Sequence, residues 1–330
     1  MSFRVHPAWW PALVVASPVL APYLFAKSRR FRAGRTRAEE ENAGRIDQAQ
    51  PLELPVLGSL ELTVVVEQRA ADGFEGEPGV SYLLASDRGT LLMDVSFGPG
   101  GRAFSHNWPR LGLSMDDLDA VLITHLHVDH MGGLEATRRN EVLVPPEVAP
   151  AKALPCFVPD ECASPVFAVE SVPGPRLLPA GLATTGPLAR MLFFLGYTYE
   201  QALVARLSGK GLAVITGCGH PTIEVILALV CKLCPEPVHT IVGGLHLPVT
   251  ASPTTTFGIH LQRLLGTGKS WCDPIDDEDV SRTIQSIKDA GASRLLLSAH
   301  DSCNYALERF RREVDAETDV LVAGRSYKLV

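Results

Sequence analysis

The first 37 residues contain no acidic side chain, and residues 5–26 contain no charged side chain of either sign. Basic residues cluster directly after this uncharged run, between Lys27 and Arg37. A secretory signal carries its positive charge before its apolar run, so this order argues against a cleaved signal. An uncharged run of this length can span a bilayer, and aromatic residues stand near both of its ends, where membrane interfaces lie.

The N-terminal pattern therefore predicts a membrane anchor over residues 1–26, with membrane association through residues 5–26. The basic cluster after it places the rest of the chain on the cytoplasmic face of the membrane. Residues 27–57 are predicted to be a basic and polar linker, and residues 58–330 a catalytic domain. A peripheral hydrophobic arm and a cleaved signal are the alternatives for the first segment.

The remainder of the chain lacks the positive charge that nucleic-acid binding requires. Of 30 Lys and Arg residues, seven lie in residues 1–37, which leaves 23 against 37 Asp and Glu. This excess of negative charge argues against a nucleic-acid partner and favours a small-molecule substrate. It would repel an anionic substrate unless a bound cation reverses the sign locally.

The cysteine pattern lacks the features of a disulfide framework. The seven cysteines are an odd number spread through a long chain, which indicates a reducing compartment. Cys231 and Cys234 form one CxxC pair without a second, at the end of an apolar run that is typical of a helix. Buried helix cysteines are the default interpretation of that pair, and a structural zinc or redox site is the alternative.

Short apolar runs separated by turn residues predict an α/β domain. Strands are predicted over 62–66, 81–85, 90–95, 119–124, 211–216, 239–243, 294–298 and 320–330, and helices over 132–139, 222–233, 277–290 and 305–314. The stretch 143–187 is rich in proline and predicts irregular strands and a loop that shapes a pocket. Residues 247–275 are predicted to be a loop.

A dense cluster of histidines follows the predicted strand that ends at Thr124. His125 and His127 stand two residues apart, so in extended backbone both imidazoles point the same way. Asp129 and His130 follow, and Gly132 and Gly133 allow a tight turn. Imidazole nitrogens and a carboxylate are zinc ligands, so the cluster predicts a metal site.

Three later histidines also follow strand-like runs by a few residues. They are His220, His246 and His300. His220 and His300 are predicted metal ligands, and His246 is predicted to be either a ligand or a substrate contact. The remaining histidines, at 6, 106, 239 and 260, fit no such pattern and are expected to be structural or exposed.

The run His-x-His-x-Asp-His-x-Gly-Gly at a strand end resembles the signature of the metallo-β-lactamase superfamily. This resemblance implies an αββα four-layer sandwich, here with an additional N-terminal hydrophobic segment, and a site for one or two metal ions between the sheets. Zn²⁺ is the expected ion, with Fe and Mn as alternatives. The superfamily's bridging carboxylate has no obvious counterpart, and His246 takes its place in the chain order.

Further motifs are similar to one branch of that superfamily, the 7,8-dihydropterin-6-yl-methyl-4-(β-D-ribofuranosyl)aminobenzene-5′-phosphate synthase-like proteins. They are Gly217-Cys218-Gly219-His220, Gly243-Gly244-Leu245-His246-Leu247 and the late His300. The histidine is followed by Asp301-Ser302-Cys303 where the branch has Cys-Thr-Gly, which places the substrate outside what the resemblance predicts.

The sequence thus predicts a hydrolase that uses a metal-activated hydroxide. Asp129 is expected to bind metal and to steer the nucleophile's proton, and Asp94 resembles the superfamily's early aspartate, which orients the site by hydrogen bonds. Cys218 is interpreted as a small packing residue rather than a nucleophile. The alternatives are a phosphodiesterase, lactonase or thioesterase of the same superfamily, and a membrane-tethered metal-binding protein without turnover.

Overall fold

A computed structural model describes residues 7–250 and 261–330 of the chain. Within these residues, two mixed sheets pack face to face and helices cover the outer face of each sheet. The helices are α1 (Trp10–Gln48), α2 (Ala103–Arg110), α3 (Gly133–Arg139), α4 (Ile223–Leu233), α5 (Leu261–Leu265), α6 (Asp277–Asp289) and α7 (Asn304–Glu313).

The first sheet contains the N-terminal β-rich part of the domain together with the last strand. Its order is β17-β2-β3-β4-β5-β6-β7. The strands are β2 (Leu60–Val66), β3 (Ser81–Ser86), β4 (Gly89–Met93), β5 (Ala120–Leu122), β6 (Leu154–Val158), β7 (Phe167–Ser171) and β17 (Ser326–Lys328). Strands β4 to β7 are parallel to one another.

The second sheet has the order β16-β15-β14-β13-β12-β9-β8, and β1 pairs with β12. The strands are β1 (Val56–Leu57), β8 (Arg176–Leu177), β9 (Ala183–Thr184), β12 (Leu203–Leu207), β13 (Gly211–Ile215), β14 (Val238–Gly243), β15 (Arg294–Leu297) and β16 (Glu317–Val320). A separate antiparallel hairpin consists of β10 (Leu188–Leu192) and β11 (Gly196–Glu200).

The apolar runs of the strands follow from burial on both faces. In β13, Ala213 and Ile215 face the core between the sheets, whereas Leu212 and Val214 pack under α4 and α6. On the outer face of the first sheet, Phe104 and Trp108 of α2 belong to a third apolar cluster. Strands buried on both faces need continuous apolar sequence, which is what marks them in the chain. The four-layer αββα sandwich is confirmed.

Residues 27–48, which the sequence interpretation assigned to a polar linker, continue helix α1. The helix reaches the domain at Phe31, whose ring packs 5.3 Å from that of Phe193, measured between centroids. Asn42 is buried and exchanges two hydrogen bonds with the backbone of Ala189, at 2.8 and 2.7 Å. Some polar residues of this segment therefore attach α1 to the rest of the domain, and composition alone does not distinguish them from the polar residues of a flexible linker.

For two other segments, the sequence predicts irregular strands and a pocket-shaping loop over residues 143–187 and a loop over residues 247–275. The stretch 143–187 supplies β6 and β7 to one sheet and β8 and β9 to the other, and no residue of it lines the cavity beside His220 and His246. In the predicted loop 247–275, residues 251–260 lie outside the described residues, and α5 is a short helix.

Candidate metal centre

The candidate site lies at the carboxyl ends of the parallel strands of both sheets. The loop after β5 contributes His125 to His130, and the turn after β13 contributes Cys218 to His220. The loops after β14 and β15 contribute His246 and His300. The backbone turns sharply at Gly132, whose φ is +116°, and a Cβ there would collide with the backbone of Leu143.

The structure brings His125, His127 and His220 together, as the sequence predicts. One ring nitrogen of each lies within 4.8 Å of the others. His220 Nε2 lies 3.1 Å from His127 Nδ1. His125 and His220 are buried and His127 is half-buried, so this three-histidine group is open toward solvent on the His127 side.

A second group consists of Asp129, His130, Cys218 and His300, again with ligand atoms within 4.8 Å of one another. The Cys218 sulfur lies 3.2 Å from His130 Nε2 and 3.2 Å from His300 Nε2. The sequence interpretation of Cys218 as a packing residue was therefore incomplete. The signal that could have revealed it is its position two residues before His220, on the same tight turn.

His246 lies beside the first group rather than in the second. It forms a third set of neighbouring ligand atoms with Cys218 and His220, and its ring centroid is 4.8 Å from that of His220. Its backbone is left-handed, with φ of +50°, which is unfavourable for a residue with a Cβ. The backbone N–H of His246 donates to Asp301 Oδ2 at 3.2 Å, and this bond helps to hold the conformation.

Asp94 is buried where the sequence predicts an orienting aspartate. Its Oδ1 accepts from the backbone N–H of Thr124 at 2.7 Å, and its Oδ2 accepts from the Thr124 hydroxyl at 2.8 Å. The same Oδ2 lies 2.7 Å from His130 Nδ1. Asp94 therefore fixes both the end of β5 and the orientation of the His130 ring.

Each of five imidazoles has one nitrogen bound to a protein oxygen and the other directed at the cluster. The outward partners are Thr124 Oγ1 for His125, Thr198 Oγ1 for His127, Asp94 for His130, the Gly266 carbonyl for His220 and Ser298 Oγ for His300. When the outward nitrogen donates its proton, the inward nitrogen is left with a free lone pair. This is the tautomer that a metal ligand requires.

Two buried glutamates support these rings, and the sequence interpretation missed both roles. Glu200, at the end of β11, accepts from the backbone N–H groups of Gly219 and His220, both at 2.7 Å. Glu67 accepts from the Tyr82 hydroxyl at 2.7 Å and from the Ser298 hydroxyl, which in turn contacts His300. The first holds the turn that carries Cys218 and His220, and the second holds the His300 ring.

The electrostatics of the cluster keep most of its imidazoles neutral. Burial and the neighbouring histidines lower the pKa of His125, His220 and His300 far below 6.5, and burial lowers the pKa of His127 to about 3. Burial also acts on His130, but Asp94 and Asp129 outweigh it and raise the pKa of His130 to about 9. Neutral imidazoles are the form that binds metal, so His130 would have to lose a proton when an ion binds.

The donor set fits divalent cations. His125 Nε2 is buried and has no hydrogen-bond partner, although it faces His127 and His220. A buried nitrogen lone pair without a partner is unfavourable unless a cation or another donor meets it. Imidazole nitrogen, thiolate sulfur and carboxylate oxygen together match the ligand preferences of zinc, while iron and manganese accept part of the same set.

Comparisons with known proteins find similarity in part of the sequence and in the fold. Residues 75–167 match the family model of the metallo-beta-lactamase superfamily. The structure is similar to that of Tm1679, a metal-dependent hydrolase of the beta-lactamase superfamily, with a TM-score of 0.58 and 20% identity. That alignment covers 81% of this chain and 98% of Tm1679. The fold is that of the metallo-β-lactamase superfamily.

Two further proteins are similar to this chain, one to part of its sequence and one to its structure. A segment of 69 residues is 44% identical to transcription termination factor FttA of Cenarchaeum symbiosum (strain A). It covers 20% of this chain and only 10% of FttA. YhfI of Bacillus subtilis, a metallo-beta-lactamase fold protein, aligns with a TM-score of 0.48 and 14% identity over 82% of this chain and 99% of YhfI.

Proposed function

We propose that this chain is a metal-dependent hydrolase whose active site binds two adjacent divalent cations. The observation that carries the proposal is the set of five imidazoles, each held by an outward hydrogen bond with its second nitrogen turned inward. A structural histidine cluster has no need for this arrangement, because inward lone pairs repel one another unless a cation lies between them.

The two groups divide the ligands between two ions. His125, His127 and His220 would hold the first ion, and Asp129, His130, Cys218 and His300 would hold the second. Such ions would supply Lewis acidity and would lower the pKa of bound water. The superfamily usually binds divalent metals, most often zinc, and consists mostly of hydrolases.

The chain's own residues supply orientation and proton transfer. Asp94 and Thr124 hold the loop of His125 to His130 in place. Asp129 is half-buried and its Oδ2 lies 3.6 Å from His130 Nε2, so its carboxylate would help to hold the second ion and to steer the proton of the nucleophile. His246, in contact with His220 and the adjoining cavity, is assigned to substrate contact rather than to either ion.

The proposal also includes a branch of the superfamily and a location of the protein at the membrane. The Gly217–His220 and Gly243–Leu247 motifs support the dihydropterin-phosphate synthase-like branch. The first turns of α1 support a membrane location, because Val14, Val15 and Val19 are 66, 82 and 78% exposed. Of the described residues, α1 is the one helix long and apolar enough to cross a membrane, a criterion that core helices and signal sequences also meet.

The test is metal content together with hydrolysis of bis(p-nitrophenyl) phosphate by the full-length protein. We expect up to two divalent ions per chain, hydrolysis that a chelator abolishes and added metal restores, and a loss of at least about 100-fold in His127→Ala. His106→Ala is the matched control, because His106 lies on α2 and contacts Gly73 and Glu75 instead of the cluster.

Full activity in His127→Ala, or a purified protein that binds no metal at any ratio, would exclude the proposed function. Metal bound in the expected ratio without hydrolysis of any ester would favour the metal-binding protein without turnover. Hydrolysis of thioesters or lactones in preference to the phosphodiester would keep the metal centre and change only the substrate class.

A further inference from the structure

A cavity of about 210 Å³ adjoins the candidate metal centre on the side of the second sheet. It is lined by His220 and His246, by the start of α4 and by residues of α6. Three basic side chains line it: Arg190, Lys269 and Arg282. His220 belongs to the first metal group, so a molecule bound in this cavity lies next to that group.

Arg190 is aimed at this cavity by the β10–β11 hairpin. It stands directly opposite Thr198 in the antiparallel register, and opposite residues share one face of a hairpin. Thr198 on that face contacts His127 through its Oγ1, at 3.3 Å from Nε2. The guanidinium lies against Gly268, where any Cβ would collide with it, so the lack of a side chain at Gly268 makes room for this arginine.

The Arg190 guanidinium has no carboxylate partner among the described residues. Its Nε is buried without a hydrogen-bond partner. Of the acidic residues of the same cavity, Asp279 pairs with Lys269 at 2.8 Å and with Arg282 at 3.2 Å, and Glu224 accepts from Thr283 at 3.2 Å. Both attract Arg190 through space without a direct ion pair. A buried cation without a partner is unfavourable for folding, and such groups are retained where a ligand supplies the counter-charge.

The cavity as a whole carries an excess of positive charge in an otherwise acidic domain. Three cations face two carboxylates there, whereas the complete chain has a formal charge of −7. The planar fork of an arginine matches the paired oxygens of a phosphate or carboxylate. The positive charge of the cavity and the planar fork of Arg190 therefore both favour a ligand that carries a phosphate or a carboxylate.

We infer that this cavity binds an anionic group of the substrate, a phosphate or a carboxylate, with Arg190 as its principal ligand. The inference rests on the proposed hydrolase and deepens it, because it assigns a substrate that carries an oxyanion beside the bond to be cleaved. Arg190 then acts in recognition, and Lys269 and Arg282 contribute long-range attraction while they remain paired with Asp279.

The first experiment measures thermal unfolding of the full-length protein with increasing inorganic phosphate, with and without chelator, and with acetate at the same ionic strength. We expect phosphate, acetate or both to raise the Tm even in the presence of chelator, and Arg190→Gln to need about tenfold more anion for the same rise. Arg206→Gln is the matched control, because Arg206 pairs with Glu236 elsewhere.

The same variant in anion-free buffer separates a ligand site from a structural role. An arginine that has no ion-pair partner until a ligand binds contributes no stability by itself. The Tm of Arg190→Gln in anion-free buffer should therefore equal or exceed that of the unaltered protein. A lower Tm would overturn the inference. Arg190→Lys keeps the charge but loses the fork and should show an intermediate response to anion, whereas an anion response equal in all three proteins would also overturn it.

Kinetics distinguish failure of this inference from failure of the proposed function. In Arg190→Gln, we expect KM for bis(p-nitrophenyl) phosphate to rise about tenfold with little change in kcat, and KM for neutral p-nitrophenyl acetate to stay the same. Unchanged KM for both esters rejects the anion site and leaves the hydrolase. An Arg190-dependent response to phosphate without hydrolysis of any ester keeps the site and rejects the hydrolase.

Discussion

The Cys218 sulfur lies between two imidazoles that come from opposite sheets. His130 follows β5 of the first sheet and His300 follows β15 of the second, and each presents Nε2 at 3.2 Å from the sulfur. Burial raises the pKa of the Cys218 thiol well above its ordinary value. Without a cation the residue is thus a neutral thiol, and cation binding would have to displace its proton.

Cys218→Ala is expected to weaken the second metal group and to spare the first. Loss of one ligand of four should reduce metal affinity of that group at least about tenfold, whereas His125, His127 and His220 keep theirs. The measurement is metal stoichiometry together with the sulfur-to-metal charge-transfer band of the cobalt-substituted protein, which should disappear. Cys156→Ala is the control, because Cys156 is equally buried but lies in β6. A cobalt spectrum unchanged by Cys218→Ala would contradict the assignment.

Single-residue signals in the sequence predicted most of the site. The spacing of His125 and His127, and the placement of His220 and His300 after apolar runs, depend on local periodicity that is visible in one chain. The roles of Glu67 and Glu200 were not visible, because each depends on a contact between residues far apart in the sequence. The sequence alone does not distinguish a buried glutamate that accepts backbone N–H groups from a glutamate exposed to solvent.

At the level of elements, α1 and the β10–β11 hairpin form one unit that the sequence did not predict. Glu41 of α1 accepts hydrogen bonds from the hydroxyls of Tyr197 and Tyr199, at 2.8 and 3.3 Å, and pairs with Arg45. Prolines and charges weaken the helical pattern of α1 in the sequence, and contacts across to the hairpin help to stabilise the helix. The hairpin carries Arg190 and Thr198, so the docked helix supports the cavity and the His127 contact.

The attachment of α1 should weaken in acid through Glu41. Partial burial raises the pKa of Glu41, but hydrogen bonds from Tyr197, Arg45 and Tyr199 outweigh it and hold the pKa below its ordinary 4.5. A lowered pKa in the folded state gives stability that is present in full above pH 4.5 and is lost as the pH falls below it. Glu41→Gln should therefore lower the free energy of unfolding by about 1 kcal/mol at pH 7. It should change that free energy very little once the pH is below the lowered pKa of Glu41, where the glutamate itself is protonated.

The measurement is the Tm of both proteins by circular dichroism from pH 7 downward, with Glu40→Gln as control because Glu40 is exposed on the same helix. The difference in Tm between Glu41→Gln and the unaltered protein should shrink as the pH falls below 4.5. A difference that stays constant with pH would show that the amide disturbs packing rather than charge.

For the whole molecule, the distribution of exposed apolar surface is uneven. The first half of α1 exposes Trp10, Val15, Val19 and Phe25, between 58 and 82% each, whereas the domain body buries most of its large apolar side chains. Contiguous apolar surface of this kind marks an interaction with membrane or protein. The basic residues that follow it on the same helix are attracted to anionic lipid headgroups.

We expect the full-length protein to sediment with membranes at high salt and to be released by detergent. Val15→Asp combined with Val19→Asp should move it to the soluble fraction, because each buried carboxylate in a bilayer core costs about 3 kcal/mol. Leu177→Asp is the control, since Leu177 is an exposed apolar residue of the domain body. Soluble unaltered protein at high salt would reject the membrane anchor while leaving the site proposals untouched.

The continuity of α1 has a consequence for how the cavity is oriented. A helix turns about 100° and advances about 1.5 Å for every residue, and it transmits that rotation along its length. The apolar end and the docked end of α1 are joined through Phe25 to Phe31 without a break. The rotation of the cavity about the axis of α1, relative to the apolar end of the helix, is therefore set by the number of residues between them. One residue inserted between Phe25 and Phe31 would rotate the cavity by about 100° around that axis.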